Sequence, residues 1–220
     1  MKISKGARLL ALGILLVVID QVSKYLVKTN MDLGEQIPVI GQWFRICFVE
    51  NAGMAFGMKF GGMVGKFLLS FFRIILCGAL VWWISSLLRR GVAGQPLHAD
   101  AGATPDIRYR HAQGQLKKLR QEFSAASASS ATVPNGVLLG LTLITAGAFG
   151  NIIDCLFYGL IWDYAPFMFG KVVDMLYFPI IRSGEQVIFF SPVFNFADSC
   201  VTVGAFWLLL FHWKFFAKES

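Results

Sequence analysis

Charged side chains are scarce in this chain of 220 residues: Asp, Glu, Lys and Arg together supply 15% of it. Hydrophobic residues supply 56%, and the mean hydropathy is +0.61. A soluble domain of this length has no interior large enough for so much apolar surface, so the composition points to an integral membrane protein. Histidine is nearly absent: His98 and His111 fall in a polar stretch and His212 lies near the C-terminus. None is placed to activate a Ser or Cys nucleophile beside the acids described below. There is no HExxH zinc motif and no P-loop signature among the glycine-rich pieces. Ser23-Lys24 does not make a serine–lysine pair, because sequence neighbours on a helix point apart. The four cysteines, Cys47, Cys77, Cys155 and Cys200, form no CxxC pair, so neither a disulfide framework nor a metal site is implied.

Four long apolar runs are present, at about Leu9 to Val27, Phe67 to Leu88, Val137 to Leu160 and Phe194 to Phe216. Each approaches the roughly 20 residues a helix needs to cross the hydrocarbon. The first has the basic flank of a signal peptide (Lys2, Lys5, Arg8) but no A-x-A-like cleavage site, and it reads as an uncleaved span. The net charge of +7 is unevenly spread. Twelve basic residues fall before the first run, between the second and third, and after the fourth; six fall in the other two loops. The richer side is expected to be cytoplasmic, which places both termini inside. No basic stripe interleaved with aromatics suggests nucleic acid.

The expected fold is therefore mostly α: a polytopic membrane protein, one domain over residues 1–220, with four transmembrane helices. Residues 30–66 alternate aromatic and polar side chains, as in Gln42-Trp43-Phe44-Arg45-Ile46-Cys47-Phe48-Val49, and predict a strand pair forming a small extracytoplasmic β platform. Residues 91–135 are polar and low in complexity and read as a cytoplasmic linker with one short basic helix around Gln113 to Phe123. Residues 161–193 form a second extracytoplasmic loop.

This topology gathers four carboxylates at one face. Asp20 lies toward the outer end of the first span, Asp154 at that of the third and Asp198 at the start of the fourth, while Asp174 falls in the loop between the third and fourth. Intramembrane acids need a partner or a task. Lys24 follows Asp20 by one helical turn, and this pair has a structural reading, a helix end anchored at the interface with Lys24 snorkelling. Asp154, Asp174 and Asp198 have no basic neighbour in sequence except Lys171, and Asn51, Asn151 and Asn195 accompany them. Capping a helix is a structural alternative for Asp198. Two carboxylates close together in a low dielectric do not both ionise, and a pair sharing one proton can activate water and protonate a leaving amine. Intramembrane acids also line ion paths, which leaves a proton-coupled transporter or channel as the alternative.

Five blocks in order resemble the lipoprotein signal peptidase (signal peptidase II) family: Asp20-Gln21-Val22-Ser23-Lys24, Asn51-Ala52-Gly53-Met54-Ala55-Phe56-Gly57, Gly150-Asn151-Ile152-Ile153-Asp154, Val172-Val173-Asp174 and Phe194-Asn195-Phe196-Ala197-Asp198. The resemblance covers most of the chain except residues 91–135. It implies a cofactor-free intramembrane aspartic endopeptidase of the bacterial inner membrane. Its substrate would be a prolipoprotein whose signal peptide is cut just before a diacylglyceryl cysteine, and globomycin would block it. The catalytic pair would be Asp174 and Asp198. Asn51, Gly53, Ala55, Phe56, Asn151, Asp154 and Asn195 would surround the pair, and Asp20 and Lys24 would position it. Two departures stand out. Cys155 occupies the place of the arginine usual in that family, with Lys171 or Arg182 as candidate replacements. The stretch between Asp154 and Asp174 is also longer than usual and reads as an added outer loop.

Overall fold

The computed structural model describes residues 4–52, 62–93, 133–183, 186–189 and 192–217. Gly53, Ala55, Phe56 and most of the 91–135 linker, including its expected basic helix, lie outside the described residues. Three helices are long and apolar enough to cross a bilayer: α1 (Lys5–Asn30), α2 (Gly62–Ala93) and α3 (Asn135–Ile161). All three extend beyond the runs read from the sequence. Ser4 starts α1 by accepting a hydrogen bond from the Ala7 backbone N–H at 3.2 Å.

α1 reverses the usual amphipathic order. Its buried residues are Asp20, Lys24 and Val27, on one face at helical spacing, while Leu10 and Ile14 are more than half exposed. Lipid solvates the apolar side of such a helix, and the protein interior shelters the charges. α3 is the central element and packs most extensively against α4 (Phe196–Phe211). Two glycines on α3 permit the close approach. A Cβ at Gly147 would stand 2.3 Å from the Ala197 carbonyl oxygen, and one at Gly150 would stand 2.6 Å from Asp20 Oδ2.

The fourth run departs from expectation. α4 has 16 residues, about 24 Å at 1.5 Å per residue, short of a hydrocarbon core of about 30 Å. Val193–Phe194 is taken up as a strand, Asn195 caps the helix, and at the other end His212 leaves the helical conformation before a short α5 (Trp213–Ala217). Three membrane-length helices, not four, are thus present among the described residues.

The expected strand pair is present as β1 (Gln36–Ile40) and β2 (Phe44–Asn51), antiparallel. It belongs to a larger sheet. β2 pairs with β3 (Val172–Tyr177), and β3 pairs with β6 (Val193–Phe194), giving the order β1-β2-β3-β6. Asp174, in the connection between α3 and α4, therefore stands on a central strand. Its neighbours Val172, Val173 and Met175 are buried, as a strand covered on both faces requires. β4 (Ile181–Ser183) and β5 (Gln186–Phe189) form a separate hairpin. Val27, Phe48, Tyr158, Val173 and Met175 make a core that binds the sheet to the ends of α1 and α3.

Candidate active site

Three features of the chain bring the polar residues together. The first is the sheet register. Val49 on β2 stands opposite Asp174 on β3, so Asn51, two residues along, lies on the same face and reaches Asp174 diagonally. Its Nδ2 donates to Asp174 Oδ2 at 3.2 Å. The second is the junction of β6 with α4. Phe194 pairs with Leu176, so Asn195 emerges beside Asp174, and its Nδ2 donates to Asp174 Oδ1 at 2.7 Å. The third is the capping box that Asn195 and Asp198 form: Asn195 Oδ1 accepts from the Asp198 backbone N–H at 2.8 Å, and the Asn195 backbone N–H donates to Asp198 Oδ2 at 3.3 Å. Asp198 thus does cap a helix, and the same geometry delivers its carboxylate to the residue that holds Asp174.

The free side of Asp198 is engaged by α3. Asn151 Nδ2 donates to Asp198 Oδ1 at 2.7 Å, while Asn151 Oδ1 accepts from Asn195 Nδ2 at 3.1 Å and from Lys24 Nζ at 2.9 Å. Lys24 stands at the centre of a buried ion cluster, 2.8 Å from Asp20 Oδ2 and 2.8 Å from Asp154 Oδ2. These acids also tie down backbone: the Ala197 N–H donates to the other oxygen of Asp20, Oδ1, at 2.9 Å, and the Val173 N–H shares Asp154 Oδ2 with Lys24, donating at 3.2 Å. The cluster therefore fastens α1, α3, β3 and α4 to one another. Lys24 is fully enclosed, which overturns the snorkelling reading of the Asp20–Lys24 pair. Asp154, acid without a cation in its own sequence neighbourhood, finds one across the fold.

Asp174 is the acid left without such compensation. It is 3% exposed, and both its side-chain donors are neutral amides. Burial, reinforced by the charge of Asp198, pushes its carboxyl up to about 7 against the opposing pull of Asn51, Asn195 and Lys24. A carboxyl with that proton affinity beside a second carboxylate is equipped to exchange a proton with water near neutral pH.

Eight of the residues singled out in the sequence (Asp20, Lys24, Asn51, Asn151, Asp154, Asp174, Asn195 and Asp198) thus form one continuous network. The sequence reading missed Gln21, whose Nε2 donates to Asp154 Oδ1 at 2.9 Å and to the Gly150 carbonyl at 3.1 Å. An uncharged amide inside an apolar run was the available signal. It also missed Glu50, next to Asn51. Glu50 pairs with Lys28 and with Lys171, the latter at 2.9 Å. Burial alone raises the Glu50 carboxyl, but the two ammonium groups outweigh it and hold it below the usual carboxylate range.

Lys171 is consequently engaged away from Cys155, and the side chain of Arg182 lies outside the described residues. A cation that contacts Cys155 is Arg73 of α2, whose Nη1 donates to Cys155 Sγ at 3.0 Å. Cys155 belongs to a π-helical turn, Asp154–Tyr158, inside α3. The added segment folds back onto this turn: the Gly170 and Met168 N–H groups donate to the Cys155 and Leu156 carbonyls at 2.9 and 3.2 Å. The Met168 carbonyl in turn accepts from Ser70 Oγ at 3.1 Å, linking the segment to α2.

Residues 12–97 and 126–214 match the family model described as signal peptidase (SPase) II. The lipoprotein signal peptidase of Porphyromonas gingivalis is 36% identical, over 95% of this chain and 84% of its own length. That of Amoebophilus asiaticus is 31% identical, over 90% of this chain and 75% of its own. A solved bacterial membrane enzyme, determined by the in meso method, superposes with a TM-score of 0.58 at 22% identity, covering 97% of this chain and 92% of that one. The latter shows the shared fold, and the sequence matches carry the assignment: this chain belongs to the signal peptidase II family of multi-pass bacterial membrane proteins.

Proposed function

We propose that Asp174 and Asp198 are the catalytic pair of an intramembrane aspartic endopeptidase that removes the signal peptide from diacylglyceryl-modified prolipoproteins. Membership of the family supports the activity and leaves the transporter reading without an observation in its favour. The observation that carries the residue assignment is the double hold of Asn195, on Asp174 through its side chain and on Asp198 through its backbone.

In this reading the sheet lies at the extracytoplasmic surface and both termini are cytoplasmic, as the distribution of Lys and Arg favours. α4 completes a fourth crossing together with α5, whose Trp213 and Lys214 suit an interface, and modest local thinning of the bilayer accommodates the shortfall. The signal peptide enters from the lipid and the acyl chains of its modified cysteine stay there. One aspartate is ionised and takes a proton from a water. That water attacks the scissile carbonyl, and the protonated partner donates to the departing amide nitrogen. A coupled pair titrates as a unit, so the two roles belong to the pair. Asn51, Asn151 and Asn195 hold the carboxylates in place, and the Lys24 cluster fixes the elements that carry them. Gly53, Ala55 and Phe56 would border the substrate. No cofactor is required.

The test is cleavage of a diacylglyceryl-modified precursor by the purified protein in lipid. The expected product begins at the lipidated cysteine, and globomycin abolishes its formation. Full processing by Asp174→Asn or Asp198→Asn overturns the assignment of the pair. Proton flux in liposomes with no cleavage overturns the hydrolytic reading itself.

A further inference from the structure

α2 carries a charge within its apolar length, in Phe71-Phe72-Arg73-Ile74-Ile75-Leu76. Arg73 is eleven residues into the helix, about 16 Å along its axis at 1.5 Å per residue. A guanidinium at such a depth is costly and marks a function unless a partner neutralises it. Among the described residues no acid forms an ion pair with it. Asp154 is committed to Lys24, Gln21 and the Val173 N–H, and Asp198 to Asn151 and Asn195. The polar contact of Arg73 among the described residues is the Cys155 thiol, a weak acceptor, and it uses one of five N–H donors. The side chain is only half-buried.

A second observation says where the remaining donors can act. Arg73 and Asp198 line one and the same cavity of about 280 Å³, between α2, α3 and α4. Asn151 and Thr202 are its other polar residues; Leu76, Ala148 and Val201 are apolar. At ~30 Å³ per water this hollow is too large for a single bound solvent molecule, and it lies near the lower end of small-ligand sites. It therefore joins an acid assigned here to the reaction with a cation on a neighbouring helix that has no ion pair among the described residues.

We infer that Arg73 is a substrate-binding residue, which donates to a main-chain carbonyl oxygen of the peptide beside the bond that is cut. The inference rests on the reading of Asp174 and Asp198 as the catalytic pair. A signal peptide that presents a scissile bond must leave its helix there, and each unwound residue frees a carbonyl that lipid cannot satisfy. Arg73 supplies that need with a planar array of donors. Cys155 holds one edge of the guanidinium against α3, and the other edge is left for the substrate.

The experiment compares wild type, Arg73→Lys, Arg73→Leu and Asp174→Asn on one diacylglyceryl-modified precursor, in nanodiscs of neutral lipid and of lipid containing an anionic fraction. For each protein KM, kcat, the pH profile and the thermal midpoint are measured. Losing a charge-assisted hydrogen bond to substrate is expected to lower kcat/KM by about 10- to 100-fold in Arg73→Leu, through KM chiefly. The effect should be equal in both lipids, with partial recovery in Arg73→Lys, an unchanged alkaline limb and an unchanged or higher thermal midpoint. Unchanged kinetics overturns the inference. A shifted pH limb with KM intact overturns it in favour of an electrostatic effect on the acids. A defect confined to anionic lipid overturns it in favour of a headgroup site, and a lowered midpoint with normal kinetics in the folded fraction overturns it in favour of a structural role. Wild type that does not cleave, or Asp174→Asn that does, overturns the reading of the pair itself.

Discussion

Lys24 and Asp154 meet at 2.8 Å with neither side chain reaching solvent or lipid. The contact joins the first helix to the third across most of the chain, and Asp20 closes it on the other side at 2.8 Å. A buried pair of this kind is weak evidence of net stabilisation, because both ions were stripped of water to make it. Its geometry has a different consequence. By serving Asp20 and Asp154 directly and Asn151 through a hydrogen bond, the single ammonium is used up before it reaches Asp174. The fold is fastened with charge, while the candidate reacting acid is left nearly bare.

Removing only the ammonium should expose the cost. Lys24→Met leaves two carboxylates facing each other in the interior, and loss of about 3–5 kcal/mol is expected. Thermal unfolding in lipid or detergent checks it. Lys24→Met combined with Asp154→Leu should recover part of the loss, since the second change removes a stranded charge. A single variant as stable as wild type would show that the cluster fastens nothing.

Asp174→Asn should behave in the opposite way. Folded, Asp174 keeps its proton up to about pH 7, whereas an unfolded aspartate releases it near pH 3.9. The folded state therefore binds more protons between those values, and ionisation of Asp174 weakens the fold as pH rises through that window. Asparagine carries no such penalty. The expected result is a thermal midpoint close to wild type at pH 4 and above it at pH 8, with cleavage reduced by at least about 100-fold at both. A midpoint lowered at pH 8 would mean that the charged carboxylate is a structural requirement.

The same proton sets the alkaline limit of the reaction. If the pair works with one proton, kcat should fall as pH rises past about 7, where Asp174 gives its proton up. Asn195 donates to Asp174 and so favours its ionised form. Asn195→Ser keeps a capping oxygen but is too short to reach Asp174 with a donor. The alkaline limb should then move to higher pH, with most of the stability retained. An unmoved limb in the pH–rate profile would separate Asn195 from the reacting proton.

Much of this arrangement was legible in the sequence, and the reason differs by element. Polar residues inside apolar runs announce themselves, which is how Asp20, Lys24, Asn151, Asp154, Asn195 and Asp198 were found without coordinates. Asp174 was found as a residue of the outer connection, but the strand it stands on was not. The strand pairing that gives it a fixed direction is long-range, and Val172–Tyr177 has no alternation to reveal it because both its faces are covered. The short α4 was hidden for a related reason. Phe194 to Phe216 reads as one mainly apolar run, and composition does not register that Asn195 and His212 end the helix. Lys171 was a candidate replacement for the arginine missing at Cys155, and nothing in its sequence neighbourhood points to Glu50, 121 positions away on β2. Arg73 was visible as an intramembrane charge; only the packing of α2 against the π turn shows what it faces.

Glu50 offers a test of how that packing reaches the site. It is bonded to Lys28 on α1 and to Lys171 after the added segment, and it immediately precedes Asn51, which holds Asp174. Lys28 also lies 5.2 Å from the ring centres of Trp162 and Tyr164, so the added segment is drawn onto the same cation. Because the two lysines hold the folded carboxyl below its usual range, its contribution to stability is complete above the unfolded value near pH 4.3. That contribution is lost as pH falls through the folded value. Glu50→Gln should therefore lower the thermal midpoint at pH 7 and flatten its decline on acidification, as followed by unfolding from pH 7 to pH 3. Loosening β2 frees Asn51, so kcat should fall while KM changes little. Equal acid sensitivity in the variant and wild type would remove Glu50 from this account and leave the added segment held by its hydrogen bonds to the π turn.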